Sequence, residues 1–138
     1  MEYVAGFYFR DGKVLLIEKQ RPNWQKGKLN GIGGHIEEGE TDIEAMVREF
    51  KEETGCLITA ERWSMFCKLN NMNNDFTVYF FRADALDTDI AAKSITDEKV
   101  VWVECSKLIN TIPNLQWLIP MASVKQRNDW VFNVMERM

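Results

Sequence analysis

Glu49, Glu52 and Glu53 fall three and four residues apart in the run Gly34–Cys56, GHIEEGETDIEAMVREFKEETGC. This run constrains the chain more than any other. Thr41-Asp-Ile-Glu44 reads as a capping box, which starts a helix at about Thr41. Ile43, Met46, Val47 and Phe50 recur at helical spacing and give that helix an apolar stripe for a core. Gly55 stands where a left-handed cap would end it. On such a helix the three glutamates crowd onto one side, beside the stripe, at a cost of roughly 0.2–0.5 kcal/mol per like-charged pair. A cation relieves that repulsion, and clustered carboxylates are hard oxygen ligands suited to Mg²⁺ or Mn²⁺. Arg48 lies four residues from both Glu44 and Glu52, so it is placed to brace the acids as well as to stabilise the helix.

The run also fills a strict pattern: Gly34, five residues, Glu40, seven residues, Arg48-Glu49, the apolar Phe50, one residue, Glu52-Glu53, one residue, Gly55 and the apolar Cys56. With average residue usage, chance would match it on the order of 10⁻⁹ times per starting position. The pattern resembles the Nudix box, and the chain resembles a MutT-like Nudix hydrolase. That resemblance implies an α/β (α+β) fold, an α/β/α sandwich around a mixed sheet, and a divalent-metal-dependent enzyme that hydrolyses a nucleoside diphosphate linked to a further group. Carried over by position, it implies Glu49 and Glu53 as principal metal ligands and Glu52 as a further ligand or water-activating carboxylate. It implies the carbonyl of Gly33 as a backbone ligand, with Gly34, Glu40, Arg48 and Gly55 in supporting roles. Relatives often place a further acidic metal ligand on a loop before a later strand. Glu98 fits that role, with Asp97 a rival one residue away.

The rest of the chain agrees with such a fold. Tyr3–Arg10 and Lys13–Lys19 read as strands joined by an Asp11-Gly12 hairpin turn. Leu57–Leu69 and Phe76–Ala85 read as strands separated by an asparagine-rich turn at Asn70–Asn74. Val100–Glu104 is a short strand, Leu115–Val124 a second helix and Trp130–Met135 a last strand. Gln20–Gly34, rich in glycine, reads as one long loop, and loops of that length tend to carry function. Lys19, Arg21, Lys26 and Lys28 make its neighbourhood basic in a chain of net charge −4, which would steer a phosphate tail towards it. Trp24 and Trp117 offer aromatic faces for a base. The resemblance adds Asn30, where purine nucleotide-cleansing relatives contact the base, and Asn114, near the position of their base-binding acids. Asparagine replaces aspartate there. His35 is the lone histidine and the pattern assigns it no catalytic part.

A length of 138 residues, 46% of them hydrophobic and 28% charged, fits a single domain, 1–138. The acidic balance argues against a general nucleic-acid binder. Three separated cysteines suggest neither a disulfide framework nor a zinc site. With no membrane-length apolar run and no basic leader before Met1–Phe9, cytoplasmic residence is the default expectation, as a monomer or homodimer with no membrane partner. The expected activity is hydrolysis of a nucleoside or deoxynucleoside triphosphate, oxidised purine nucleotides among the candidates, to monophosphate and pyrophosphate. Catalysis would fall to Glu52, Glu53 and Glu98, with Glu52 the leading base and Mg²⁺ the metal (Mn²⁺ as an alternative). Two alternatives stay open: a pyrophosphatase for ADP-ribose, nucleotide sugars or dinucleoside polyphosphates, and a non-catalytic module that senses nucleotides.

Overall fold

The computed structural model describes residues 1–73, 75–124 and 131–136. Its centre is the hairpin of β1 (Glu2–Arg10) and β2 (Lys13–Glu18). Asp11 and Gly12 take φ of 51° and 77°, the two left-handed positions of a tight hairpin turn, which an Asp-Gly pair tolerates. Both strands are apolar on both faces. Val4, Tyr8, Leu15 and Ile17 point into one core, and Ala5, Phe7, Val14 and Leu16 into another. A strand that reads as a continuous apolar run is therefore one covered on both sides.

The remaining strands are β3 (Leu29–Asn30), β4 (Ile32–His35), β5 (Ser64–Asn71), β6 (Thr77–Asp84), β7 (Val100–Glu104) and β8 (Phe132–Glu136). They form a mixed sheet in the order β3-β2-β1-β6-β5-β8, with β4 also on β1 and β7 also on β2. The β1–β6 and β5–β8 pairs are parallel and the others antiparallel. One helix covers each face. α1 (Asp42–Thr54) buries Ala45, Met46 and Phe50 in the first core. There the Phe50 ring lies 5.0 Å from Tyr8 and 5.2 Å from Trp63. α2 (Leu115–Val124) buries Leu115, Leu118, Ile119 and Ala122 in the second. This is the expected α/β/α sandwich. The expected capping box is also present: Thr41 accepts from the Glu44 N–H while Glu44 accepts from the Thr41 N–H. Gly55 closes the helix at φ 79°.

Three expectations are corrected. Gln20–Gly34 is not one loop, because β3 and β4 lie within it. The glycines that make that run read as a loop include Gly33 in close strand pairing: a Cβ on it would lie 1.9 Å from the Val4 carbonyl oxygen. The strand expected from Leu57 begins only at Ser64, after a 3-10 turn at Ala60–Arg62 that lets Trp63 drop into the core. It then runs through Asn70 and Asn71, which were read as turn. Asn70 is held there by a 2.7 Å bond to the Thr77 hydroxyl on β6, and Asn71 caps the turn by accepting from the Asp75 N–H. Asn74 and Trp130 lie outside the described residues, and the last strand begins at Phe132. Among the described residues, no helix is long and apolar enough to cross a membrane.

Candidate active site

Helix periodicity decides which acids can meet. Residues 49 and 53 are four apart and nearly aligned, whereas 52 and 53 diverge by about 100° around the axis. The side chain of Glu49 is 13% exposed and that of Glu52 is 57% exposed. Glu52, expected with the other two, thus stands on the solvent side. Arg48 binds both: its Nη1 lies 2.9 Å from Glu49 Oε1 and 3.2 Å from Glu52 Oε2. The same guanidinium grips Glu40 in a two-pronged pair, Nε to Oε2 at 2.6 Å and Nη2 to Oε1 at 2.9 Å, and donates to the His35 carbonyl. The hydrogen bond from Arg48 holds the Glu40 carboxyl below its ordinary range. Glu44 makes the capping box rather than an Arg48 pair. Arg48 therefore ties the segment before the helix to its acidic face.

Glu53 is turned inward. Its Oε2 is buried and has no hydrogen-bond partner among the described residues. Burial is the main reason its pKa is pushed up to about 8, and the negative charges of Glu49 and Glu98 add to it while Lys19 opposes. Those residues are thus its electrostatic surroundings. Glu98, from the segment between β6 and β7, is only 7% exposed. It accepts from Lys19 Nζ at 3.2 Å and from the Gln20 N–H at 2.7 Å, with Arg21 Nη1 3.6 Å away. Asp97 is 62% exposed and pairs with Arg21 at the surface. Of the two rival acids, Glu98 is the one that faces inward. β4 supplies the floor: a Cβ on Gly34 would fall 2.7 Å from the Glu49 carboxylate, so glycine is what lets that carboxylate lie against the strand. Gly33 precedes it, opposite Ala5 of β1.

Among the described residues, no three Asp, Glu, His or Cys side chains are already gathered as a metal-ligand set. Arg48 and Lys19 occupy the acids that would form one. The buried Glu53 oxygen has no hydrogen-bond partner among the described residues, and the charges of Glu49 and Glu98 act on it. Its neighbours are hard carboxylates of the kind that hold Mg²⁺ or Mn²⁺. The residues fit a divalent cation.

The expected substrate-binding residues divide. Lys19 and Arg21 are engaged by Glu98 and Asp97, whereas Lys28 is exposed. Asn30 has committed its side chain locally, donating to Gln25 Oε1 at 3.0 Å and accepting from the Gly31 N–H at 2.7 Å. The segment before α2 is stitched alongside: the Leu29 N–H donates to the Asn110 carbonyl and the Ile112 N–H to the Leu29 carbonyl. At its end, Asn114 Oδ1 is buried without a partner among the described residues. Trp117 packs against the α2 core, while Trp24 is 63% exposed. His35 is exposed, with its ring 4.5 Å from Tyr3. Sequence reasoning missed the Gln20 backbone as a partner of Glu98, and no local signal links positions 78 residues apart.

The chain belongs to the Nudix family: the NUDIX domain model matches residues 2–123. It is 50% identical over 54 residues to a Methanocaldococcus jannaschii protein named ADP-ribose pyrophosphatase, covering 39% of this chain and 31% of that one. It is 31% identical over 104 residues to the Danio rerio oxidized purine nucleoside triphosphate hydrolase, covering 70% of this chain and 62% of the relative. Each alignment thus spans less than two thirds of the relative's length. The crystal structure of a MutT Nudix hydrolase from Burkholderia pseudomallei superposes with a TM-score of 0.72 at 20% identity. It covers 90% of this chain and 97% of that one, a likeness of fold.

Proposed function

We propose that this chain is a divalent-metal-dependent Nudix pyrophosphohydrolase that converts a nucleoside or deoxynucleoside triphosphate to the monophosphate and pyrophosphate. The observation that carries the reading is the unpartnered Glu53 oxygen, buried beside Glu49 and Glu98 at the edge of a basic strand end. A bound divalent cation would neutralise phosphate oxygens and acidify a water. Glu49 and Glu53, with the Gly33 carbonyl, would hold it. Lys19, Arg21 and Lys28 would take the phosphate tail. Water adds to phosphorus, a carboxylate takes its proton, and the bond to the departing pyrophosphate oxygen breaks. The resemblance puts Glu52 first for that carboxylate, but Glu52 is 57% exposed and Glu98 only 7%, which supports Glu98 in that role. Asn30 and Asn114 flank the stitched segments where a base would sit. The unpaired Asn114 oxygen supports base contact there, and the exposed Trp24 could stack.

The test is to incubate the protein with Mg²⁺ and a panel of nucleotides and identify the released phosphate species. Pyrophosphate with a monophosphate is the expected outcome. Turnover confined to ADP-ribose, a nucleotide sugar or a dinucleoside polyphosphate would replace this reading with the first alternative, and the relative named for ADP-ribose keeps that alternative in view. Tight binding without turnover would replace it with a sensor. Glu53→Gln is expected to cut kcat by about 10²–10⁴-fold with the fold retained.

A further inference from the structure

The segment 85–99 joins β6 to β7 without helix or strand. Connections of about that length inside a compact domain generally have a task. This one carries Glu98 at its far end, and its near end is held by a cluster that the reaction does not use. Asp89, buried to 9% exposure, gathers four donors. Arg62 contributes two, Nη1 to Oδ1 at 2.6 Å and Nη2 to Oδ2 at 2.7 Å. The Leu86 N–H contributes a third at 2.9 Å, and the hydroxyl of the buried Tyr8 the fourth. Arg62 also donates to the Asp84 carbonyl where β6 ends. Tyr8 is packed on Phe50 of α1, so the cluster is referenced to the helix that bears Glu49 and Glu53.

Beyond Asp89 the segment lies along the end of that helix. The Cys56 thiol donates to the Ile90 carbonyl at 2.8 Å, Ala92 packs on the first core, and the Lys93 N–H donates to the Thr54 carbonyl at 3.0 Å. The chain then folds on itself, with the Val100 N–H on the Ser94 hydroxyl and the Glu98 N–H on the Thr96 hydroxyl. The ties at Ile90, Lys93, Ser94 and Thr96 are single bonds between uncharged groups, whereas at the far end Glu98 pairs with Lys19 and Asp97 with Arg21. A charge-assisted bidentate pair is about twice as strong as such a bond and also fixes orientation. The Asp89 cluster therefore fixes the near end of the segment, as the Lys19 and Gln20 contacts of Glu98 fix its far end.

We propose that Tyr8, Arg62 and Asp89 are positioning residues that set Glu98 against Glu53 by clasping the 85–99 segment to β1 and to the 3-10 turn that follows α1; this rests on Glu98 belonging to the hydrolytic site. Misplacement of a reacting group by about 1 Å can cost on the order of a hundredfold in rate.

The experiment measures kcat and KM, with Mg²⁺ and whichever nucleotide the panel turns over, for Asp89→Asn, Tyr8→Phe, Glu98→Gln and the double variants Asp89→Asn/Glu98→Gln and Tyr8→Phe/Glu98→Gln. Tyr8→Phe removes one hydroxyl and keeps the ring packing, so it serves if Asp89→Asn does not fold. The expected result is a kcat lower by about tenfold in each clasp variant, with KM changed less than about twofold and no further loss once Glu98 is already Gln. Partial unfolding would lower kcat by the same factor in both backgrounds. Equal losses in both backgrounds, or a folded clasp variant with wild-type kcat, would overturn the clasp and leave the Glu98 assignment standing. A Glu98→Gln enzyme with wild-type kcat would overturn both.

Discussion

Glu53 is the residue whose environment departs furthest from an ordinary surface glutamate. Buried beside two other carboxylates, it holds a proton in the metal-free fold that the unfolded chain gives up at about pH 4.5, and releases it only near pH 8. An acid with a raised folded pKa contributes stability below the unfolded value and loses it as pH climbs through the folded one. Metal-free wild type is therefore expected to lose on the order of a few kcal/mol relative to Glu53→Gln between about pH 4.5 and 8, read from urea melts across that window. Mg²⁺ binds the ionised form, so its stabilising shift in Tm is expected to grow with pH over the same range and to shrink in Glu53→Gln. Parallel wild-type and variant curves would mean that Glu53 ionises freely and is not the site's buried acid.

The elements that make the site are β4 and α1, and two adjacent glycines on β4 do different work. At Gly33 a Cβ would meet the Val4 carbonyl at 1.9 Å, a clash with backbone that only strand separation relieves. Gly33→Ala is therefore expected to destabilise the fold by more than about 2 kcal/mol in denaturant melts. At Gly34 a Cβ would meet the Glu49 carboxylate, a side chain that can swing away. Gly34→Ala is expected to keep within about 1 kcal/mol of wild-type stability while Mg²⁺ affinity, measured calorimetrically, falls at least tenfold. If the two alanines behave alike, the floor of the site is not built as described. The element boundaries themselves follow local chemistry: Thr41 and Glu44 start α1 and Gly55, at φ 79°, ends it.

Across the whole molecule, the sheet separates two cores, and the two candidate tryptophans belong to different surroundings. Trp117 on α2 packs against the second core, whereas Trp24 stands in solvent on the β2–β3 connection. Trp117→Ala is expected to cost about 2 kcal/mol of stability, a partly buried version of the loss for a core aromatic. Trp24→Ala is expected to change stability by no more than about 0.5 kcal/mol. A raised KM in Trp24→Ala alone, with kcat near wild type, would identify it as the stacking partner of the base. A destabilised Trp24→Ala would place that ring in the core after all.

Much of this protein was legible in its residues. The Thr41–Glu44 capping box, the Gly55 terminus and the Asp11-Gly12 hairpin are signals in which the deciding interactions lie a few residues apart, so a linear reading reaches them. The spacing of Glu49 and Glu53 belongs with these, since helix geometry alone aligns residues four apart. The role of Gly33-Gly34 is less legible, because glycine suits a loop as readily as a close strand approach, and only the pairing partner distinguishes them. The inward stance of Glu98 against the outward one of Asp97, the lock of Glu98 on Lys19 and the Gln20 backbone, and the meeting of Tyr8, Arg62 and Asp89 were decided by tertiary structure. Tyr8 and Asp89 are 81 residues apart, and Gln20 and Glu98 are 78 apart. Contacts at such separations depend on how the sheet orders its strands and where a 15-residue connection is pinned, which no local propensity records.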